Sequence, residues 1–213
     1  MRRMKMANYR KTYLCICDGQ QETMYLNHVA KLIKDFPRKV VKFNTFEDSA
    51  HRLEKRYEDY DSAALFDFDN NDVEFKRNIE ICDKLNKKFK PSKRKSGRCI
   101  YHAYSSVNFD LWLILHKEDF RRSVTRNDAY ISDVRRVFGL SPTDNIKKEN
   151  IIKKILGQIT LEDVKDAIQR ADDIRKRKDQ GDSTKIGGTT IYSNPDFSIH
   201  EFLKVVLKDS GDF

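Results

Sequence analysis

The chain has 213 residues, 38% of them hydrophobic and 35% charged, with a net charge of +9 and a sequence pI near 9.3. That length suits one α/β domain, or one domain with a helical extension. An aromatic content of 11% argues against wholesale disorder. No apolar run approaches the about 20 residues that span a membrane, and the basic balance points to a polyanionic partner, nucleic acid above all.

Residues 1–12 read as a basic arm, with Arg2, Arg3, Lys5, Arg10 and Lys11 and no acid among them. They lack the apolar segment of a signal peptide. Cys15, Cys17, Cys82 and Cys99 form no Cys-x-x-Cys pair. The expectation is therefore a cytoplasmic protein with buried free thiols, without a structural zinc site.

Tyr13–Cys17 is an apolar first strand that ends in Asp18-Gly19-Gln20-Gln21-Glu22, where Gly19 permits a tight turn. Tyr25, Val29, Leu32, Ile33 and Phe36 follow at helical spacing, and Pro37 stops that helix. Val40–Phe43 reads as a second strand, Thr45 with Asp48 as a capping box, and Phe46, Ala50, Leu53 and Tyr57 as the stripe of a second helix. The third strand, Ala63–Phe68, runs into Asp67-Phe68-Asp69-Asn70-Asn71-Asp72, a turn-rich acidic stretch. Phe75, Ile79, Cys82 and Leu85 then mark a helix ending before Pro91.

From Lys90 to Arg98 the chain carries Lys90, Lys93, Arg94, Lys95 and Arg98 without an acid, among Pro, Ser and Gly. This is a loop suited to phosphates. A fourth strand, Cys99–Tyr104, meets Ser105 and Ser106, expected to cap a helix that spans Phe109–His116. From about Arg126 the pattern is helical, with stripes at Tyr130–Phe138, Ile151–Leu156 and Leu161–Ala171. Asp179–Thr190 reads as a loop, and Ile199, Phe202, Leu203 and Val206 as a terminal helix. Strand–helix repetition followed by helices predicts an α/β fold: a mainly parallel sheet of about four strands over residues 13–125, flanked by helices, with a helical region over 126–213 packed on it.

The chemistry follows from where the acids fall. Asp18 and Glu22 close the first strand, Asp67 and Asp69 the third, and in a doubly wound sheet those ends are neighbours at a switch point. Carboxylates gathered there repel one another unless a cation or protons intervene. Oxygen donors favour Mg²⁺, Mn²⁺ or Ca²⁺ over zinc. A carboxylate-held cation beside basic loops suits phosphodiester cleavage.

The same residues resemble a known family. An acid and Gly after the first strand and Asp67-Phe68-Asp69 after the third match the Toprim pattern. Cys17-Asp18-Gly19-x-x-Glu22-x-x-Tyr25-Leu26 and Ser105-Ser106-Val107-Asn108-Phe109-Asp110-Leu111-Trp112-Leu113-Ile114-Leu115-His116 are similar to two hallmarks of RloB-like proteins. Asn194-Pro195 with Ile199 and His200 resembles a third. Three positions depart from the pattern: Asp18 and Asp110 stand where the family has Glu, and Ser106-Val107 replaces Asn-Pro. The resemblance implies a Toprim-like (Rossmannoid) fold and a metal-dependent nuclease of phage-defence or abortive-infection systems, encoded beside an AAA-type ATPase. It implies Asp18, Glu22, Asp67 and Asp69 as ligands for Mg²⁺ or Mn²⁺. Asp110 and His116 would lie near them, His116 as a general acid or base, with Asn71 and Asp72 as further neighbours. The alternative is a non-catalytic subunit that binds nucleic acid or docks on the ATPase. A receiver-like phosphoacceptor leaves Glu22 and Asp69 unexplained, and a haloacid-dehalogenase-type phosphatase would want its Asp-x-Asp on the first strand.

Overall fold

The computed structural model describes residues 9–34, 39–50, 52–55, 60–68, 71–90, 97–124, 126 and 128–212. Its centre is β1 (Tyr9–Cys17), and the alternation along that strand dictates the layers. Tyr13, Cys15 and Cys17 are buried on one face, Leu14 and Ile16 on the other. A strand apolar on both faces needs cover on both sides.

β2 (Lys39–Glu47), β3 (Asp61–Asp67) and β4 (Ile100–Ser105) complete a sheet of order β2-β1-β3-β4, parallel throughout. β3 repeats the pattern, with Ala63 and Leu65 on the first face and Ala64 and Phe66 on the second. The second face is covered by α2 (Arg52–Lys55) and α3 (Asp72–Phe89), whose Phe75, Ile79, Cys82 and Leu85 point inward. The first face is covered by α1 (Gln20–Leu32) and by the later helices α4 (Phe109–Leu115), α5 (Ile131–Val137), α6 (Glu149–Leu156), α7 (Leu161–Lys176) and α8 (Ile199–Ser210). Phe202 of α8 packs edge-on against Tyr13, which ties the end of the chain to the central strand. Thr160 and Asp163 form the capping box that starts α7.

Several local expectations are corrected. β2 runs on through Thr45 and Phe46, so Thr45 is a strand residue and not a helix cap. Its full-length pairing with β1 satisfies the backbone along that stretch; among the described residues α2 follows with Leu53 of the expected stripe, and Tyr57 lies outside them. Arg10 and Lys11 lie in β1 and not in an arm, and Lys11 pairs with Asp61. Cys15, Cys17 and Cys82 are buried thiols, but Cys99 is exposed. The stretch read as a loop after α7 contains a hairpin, β5 (Ser183–Ile186) and β6 (Thr189–Tyr192). Gly187 makes its turn with φ +60, and a Cβ there would lie 2.3 Å from Asp83 Oδ2. That carboxylate accepts from the Gly188 N–H at 2.6 Å and holds the hairpin on α3.

The outer edge of β4 is closed by residues 196–198. Ser198 N–H donates to the Tyr104 carbonyl at 3.0 Å, and Ser106 N–H to the Asp196 carbonyl at 2.9 Å. Asp196, buried, accepts from Tyr104 Oη and pairs with Arg175 of α7 at 3.0 Å. An otherwise open edge is thereby covered.

Candidate functional site

The chain leaves β1 to form β2 on one side and returns to form β3 on the other, so the sheet order switches direction between β1 and β3. The crevice at such a switch point, beyond the carboxyl ends of the strands, is where open α/β sheets bind ligands. Register fixes what stands there. Cys17 pairs with Leu65, so Asp18 follows β1 just as Asp67 ends β3, and the Asp18 N–H donates to the Leu65 carbonyl at 3.1 Å. Asp18, Glu22 and Asp67 line one cavity of about 240 Å³ together with Gln21, Lys147 and Ile152.

Glu22 sits in the first turn of α1 and is buried. Its carboxylate folds back over Gly19, where a Cβ would lie 3.2 Å from Glu22 Oε2. Glycine is therefore the residue that lets this acid close over the turn. Burial raises the Glu22 pKa to about 7. A bond to its own backbone N–H and the charge of Lys147 oppose the rise, while Asp18 and Asp110 add to it.

Asp67 Oδ2 accepts the backbone N–H of Phe109 at 3.0 Å, where α4 begins. The cap of α4 is Asn108, which accepts from the Asp110 N–H, and not Ser105 or Ser106. Ser105 Oγ instead donates to the Asn108 carbonyl, and Ser106 Oγ accepts from the Asp196 N–H. This start places Asp110, fully buried, behind the cavity. Lys147 reaches in from the loop before α6, with Nζ 3.1 Å from Asp110 Oδ1 and 2.9 Å from Gln21 Oε1. Burial pulls the Lys147 pKa down, but Asp110, and then Asp67 and Glu22, outweigh it and hold the pKa above its ordinary value. Nothing in the sequence marks Lys147, which opens a Lys-Lys pair of the kind found on any solvated surface.

Other candidates fall elsewhere. His116 is buried between Tyr25 Oη at 3.0 Å and the Trp112 carbonyl at 2.9 Å, with both ring nitrogens engaged. Burial lowers its pKa to about 4. It is a core residue held neutral, which corrects the general acid or base role. Arg98 is 3% exposed, lies 4.0 Å over the Phe89 ring and donates to the Leu53 carbonyl. It is therefore a packing residue and not a phosphate contact. Lys90 is exposed just past α3. Asn71 caps α3 by accepting from the Glu74 N–H, and Asp72 opens that helix. Asp69, Lys93, Arg94 and Lys95 lie outside the described residues.

The donors around the cavity are carboxylate oxygens, and such a set suits a hard divalent cation. Asp110 Oδ2 and Gln21 Nε2 are buried with no hydrogen-bond partner among the described residues. An orphaned carboxylate oxygen beside three further acids fits a bound cation. The oxygens of Asp18, Glu22 and Asp67 do not, however, all lie within 4.8 Å of one another among the described residues. A second cavity of about 360 Å³ shares Gln20 and continues between α1 and α6, with Lys31, His28 and Lys153 on its walls.

No helix among the described residues is long and apolar enough to cross a membrane. No curated protein and no solved structure matches the chain. The family model described as RloB-like protein matches residues 13–200, which takes in most of the sheet, the strand-end acids, Lys147 and the start of α8, and the chain belongs to that family.

Proposed function

We propose that this chain is a metal-dependent nuclease that hydrolyses the phosphodiesters of DNA or RNA, the effector of an anti-phage abortive-infection system. The observation that carries the reading is the meeting of Asp18, Glu22 and Asp67 in one cavity at the β1/β3 switch point, with buried Asp110 behind it. Asp18, Glu22 and Asp67, with Asp69, would hold Mg²⁺ or Mn²⁺, which when bound neutralises phosphate charge and activates water. The Toprim resemblance of the Asp-x-Asp stretch supports the same assignment.

The chain's own residues supply positioning. Asp67, anchored on the Phe109 N–H, is held in one orientation. Lys147 is exposed at the mouth of the cavity and presents an ammonium to an incoming phosphate. The adjoining groove between α1 and α6, with Lys31 on its wall and Lys153 paired to Glu149, would take the flanking nucleotides. The exposed Lys90 and the Lys93, Arg94 and Lys95 that follow it in sequence would add phosphate contacts, and an AAA-type ATPase is the expected partner.

The test incubates purified protein with labelled single-stranded DNA, duplex DNA and RNA in Mg²⁺ or Mn²⁺, alone and with an AAA-type ATPase where the neighbouring gene encodes one. Cleavage that disappears in Asp67→Asn is the expected result. Full cleavage or full toxicity of that variant at normal expression would sink the reading. Neutralising Lys90, Lys93, Arg94 and Lys95 together should weaken binding and flatten its dependence on salt, as fewer counterions are released. An unchanged slope removes that loop from the interface.

One observation favours a second reading. Lys147 already places a cation against Asp110, as a site that had lost its metal would. A non-catalytic nucleic-acid-binding or ATPase-docking subunit predicts binding without cleavage, and Asp67→Asn then binds as well as the wild type or better.

A further inference from the structure

We propose a second cation site, unrelated to the strand-end acids, formed by Asp172 of α7 and by His200 and Glu201 of α8, for a divalent first-row transition metal such as Zn²⁺. One ligand atom from each residue lies within 4.8 Å of the others. His200 Nε2 is 3.3 Å from Asp172 Oδ1 and 3.1 Å from Glu201 Oε1. His200 is fully buried; among the described residues neither ring nitrogen has a partner of good hydrogen-bond geometry, and the Asp172 and Glu201 carboxylates stand against Nε2 as close charge partners. A buried imidazole without a directed partner is costly.

The distances say what it is arranged for. At metal–ligand bonds of about 2.0–2.2 Å, two ligands set at right to tetrahedral angles stand about 3.0–3.5 Å apart. The two separations fall in that interval. Both short N···O contacts come without good hydrogen-bond geometry, as expected of three donors grouped around one point.

The donor chemistry selects the metal. An imidazole with two carboxylates suits Zn²⁺, Mn²⁺, Co²⁺ or Ni²⁺, whereas Mg²⁺ and Ca²⁺ prefer oxygen alone. The cluster already draws a cation, since Lys204 Nζ pairs with Asp172 Oδ1 and lies 3.7 Å from Glu201 Oε1. A divalent ion with three ligands outcompetes that single charge and releases the half-buried lysine to solvent. The residues open on a cavity of about 520 Å³ that also presents His102, Arg175 and Thr189. Three protein ligands facing open space leave a coordination position for an exchangeable ligand.

The experiment titrates metal-free, full-length protein with Zn²⁺ calorimetrically and measures bound metal after dialysis. Wild type is expected to bind Zn²⁺ at this site, with millimolar Mg²⁺ failing to displace it. Glu201→Gln and Asp172→Asn should each weaken that binding at least tenfold, Lys204→Met should tighten it, and Asp67→Asn should leave it unchanged. Because His200 is fully buried, the half-exposed Glu201 carries the test, and melts without metal establish that each variant folds. Zn²⁺ should raise the melting temperature of wild type and not of Glu201→Gln. No Zn²⁺ binding by wild type, equal affinity in Glu201→Gln and Asp172→Asn, or loss in Asp67→Asn instead would each overturn the proposal.

Discussion

Two clusters of acids occupy this molecule, and they are built by different means. At the β1/β3 switch point, Asp18, Glu22 and Asp67 are delivered by sheet topology, since parallel strands in this order bring their carboxyl ends together. At the α7–α8 contact, Asp172 meets His200 and Glu201 only because two helices pack on the same sheet face. The first has oxygen donors around a cavity, with a buried acid behind. The second has a nitrogen among its donors and tighter spacing. In each, a lysine lies on one carboxylate: Lys147 on Asp110, Lys204 on Asp172. The difference teaches that strand ends gather charge into a crevice for a ligand, while helix packing can set ligand atoms at bonding distance around a point.

The largest expected effect separates the two. Asp67→Asn keeps the acceptor for the Phe109 N–H but removes a charge, so cleavage should fall at least a hundredfold while the metal-free melt stays within about 1 kcal/mol of wild type. Zn²⁺ binding at the α7–α8 cluster should not change. If Glu201→Gln abolished cleavage and Asp67→Asn did not, the roles of the two clusters would be reversed.

The next effect is on stability and concerns Glu22. Its folded pKa, about 7, lies above the ordinary 4.5. The unfolded chain therefore releases this proton more easily, and folding binds it. The contribution is present in full below pH 4.5 and is lost as pH rises through 7. Glu22→Gln should flatten that decline and make the metal-free protein more stable at pH 8, by about 3 kcal/mol at most. The measurement is urea denaturation at pH 4.5 and pH 8. The readout is the difference between the two proteins, since His116 affects both alike: a Gln variant whose stability changes with pH as the wild type's does would show that Glu22 is not the acid strained by the cluster. His116 works with the opposite sign. Held near 4, below its ordinary value of 6.5, it withdraws stability as pH falls through that window.

What the sequence made legible follows the same contrast. The apolar runs of β1 and β3, the strand-end acids Asp18, Glu22 and Asp67 and the spacing of Phe75, Ile79, Cys82 and Leu85 on α3 are local patterns, and each stands where the local sequence placed it. The hairpin escaped because Ser183–Ile186 is short and mostly polar and Gly187-Gly188 reads as loop. Its stability comes from Asp83, about a hundred residues earlier in the chain. Arg98 looked like a phosphate contact because five basic residues share its stretch; only the fold sets Phe89 beneath it. Lys147 and the meeting of Asp172 with His200 are products of tertiary packing, and no spacing announces either.

The smallest effect compares the two lysines. Lys147→Met leaves Asp110, wholly buried, without its positive neighbour, which argues for destabilisation. The lysine side chain is itself 54% exposed, so solvent already screens much of the pair and the loss should be only about 1–2 kcal/mol. Lys204→Met removes a cation from Asp172, itself partly exposed, and should cost under about 1 kcal/mol. Both changes should strengthen metal binding, each at its own cluster, because the metal no longer competes with an ammonium. The check is a pair of thermal melts without metal and a pair of titrations, Mn²⁺ for the first variant and Zn²⁺ for the second. If Lys147→Met melted like wild type and bound Mn²⁺ no more tightly, Lys147 would not be holding the place of a cation. The resemblance between the two clusters would then reduce to two unrelated salt bridges.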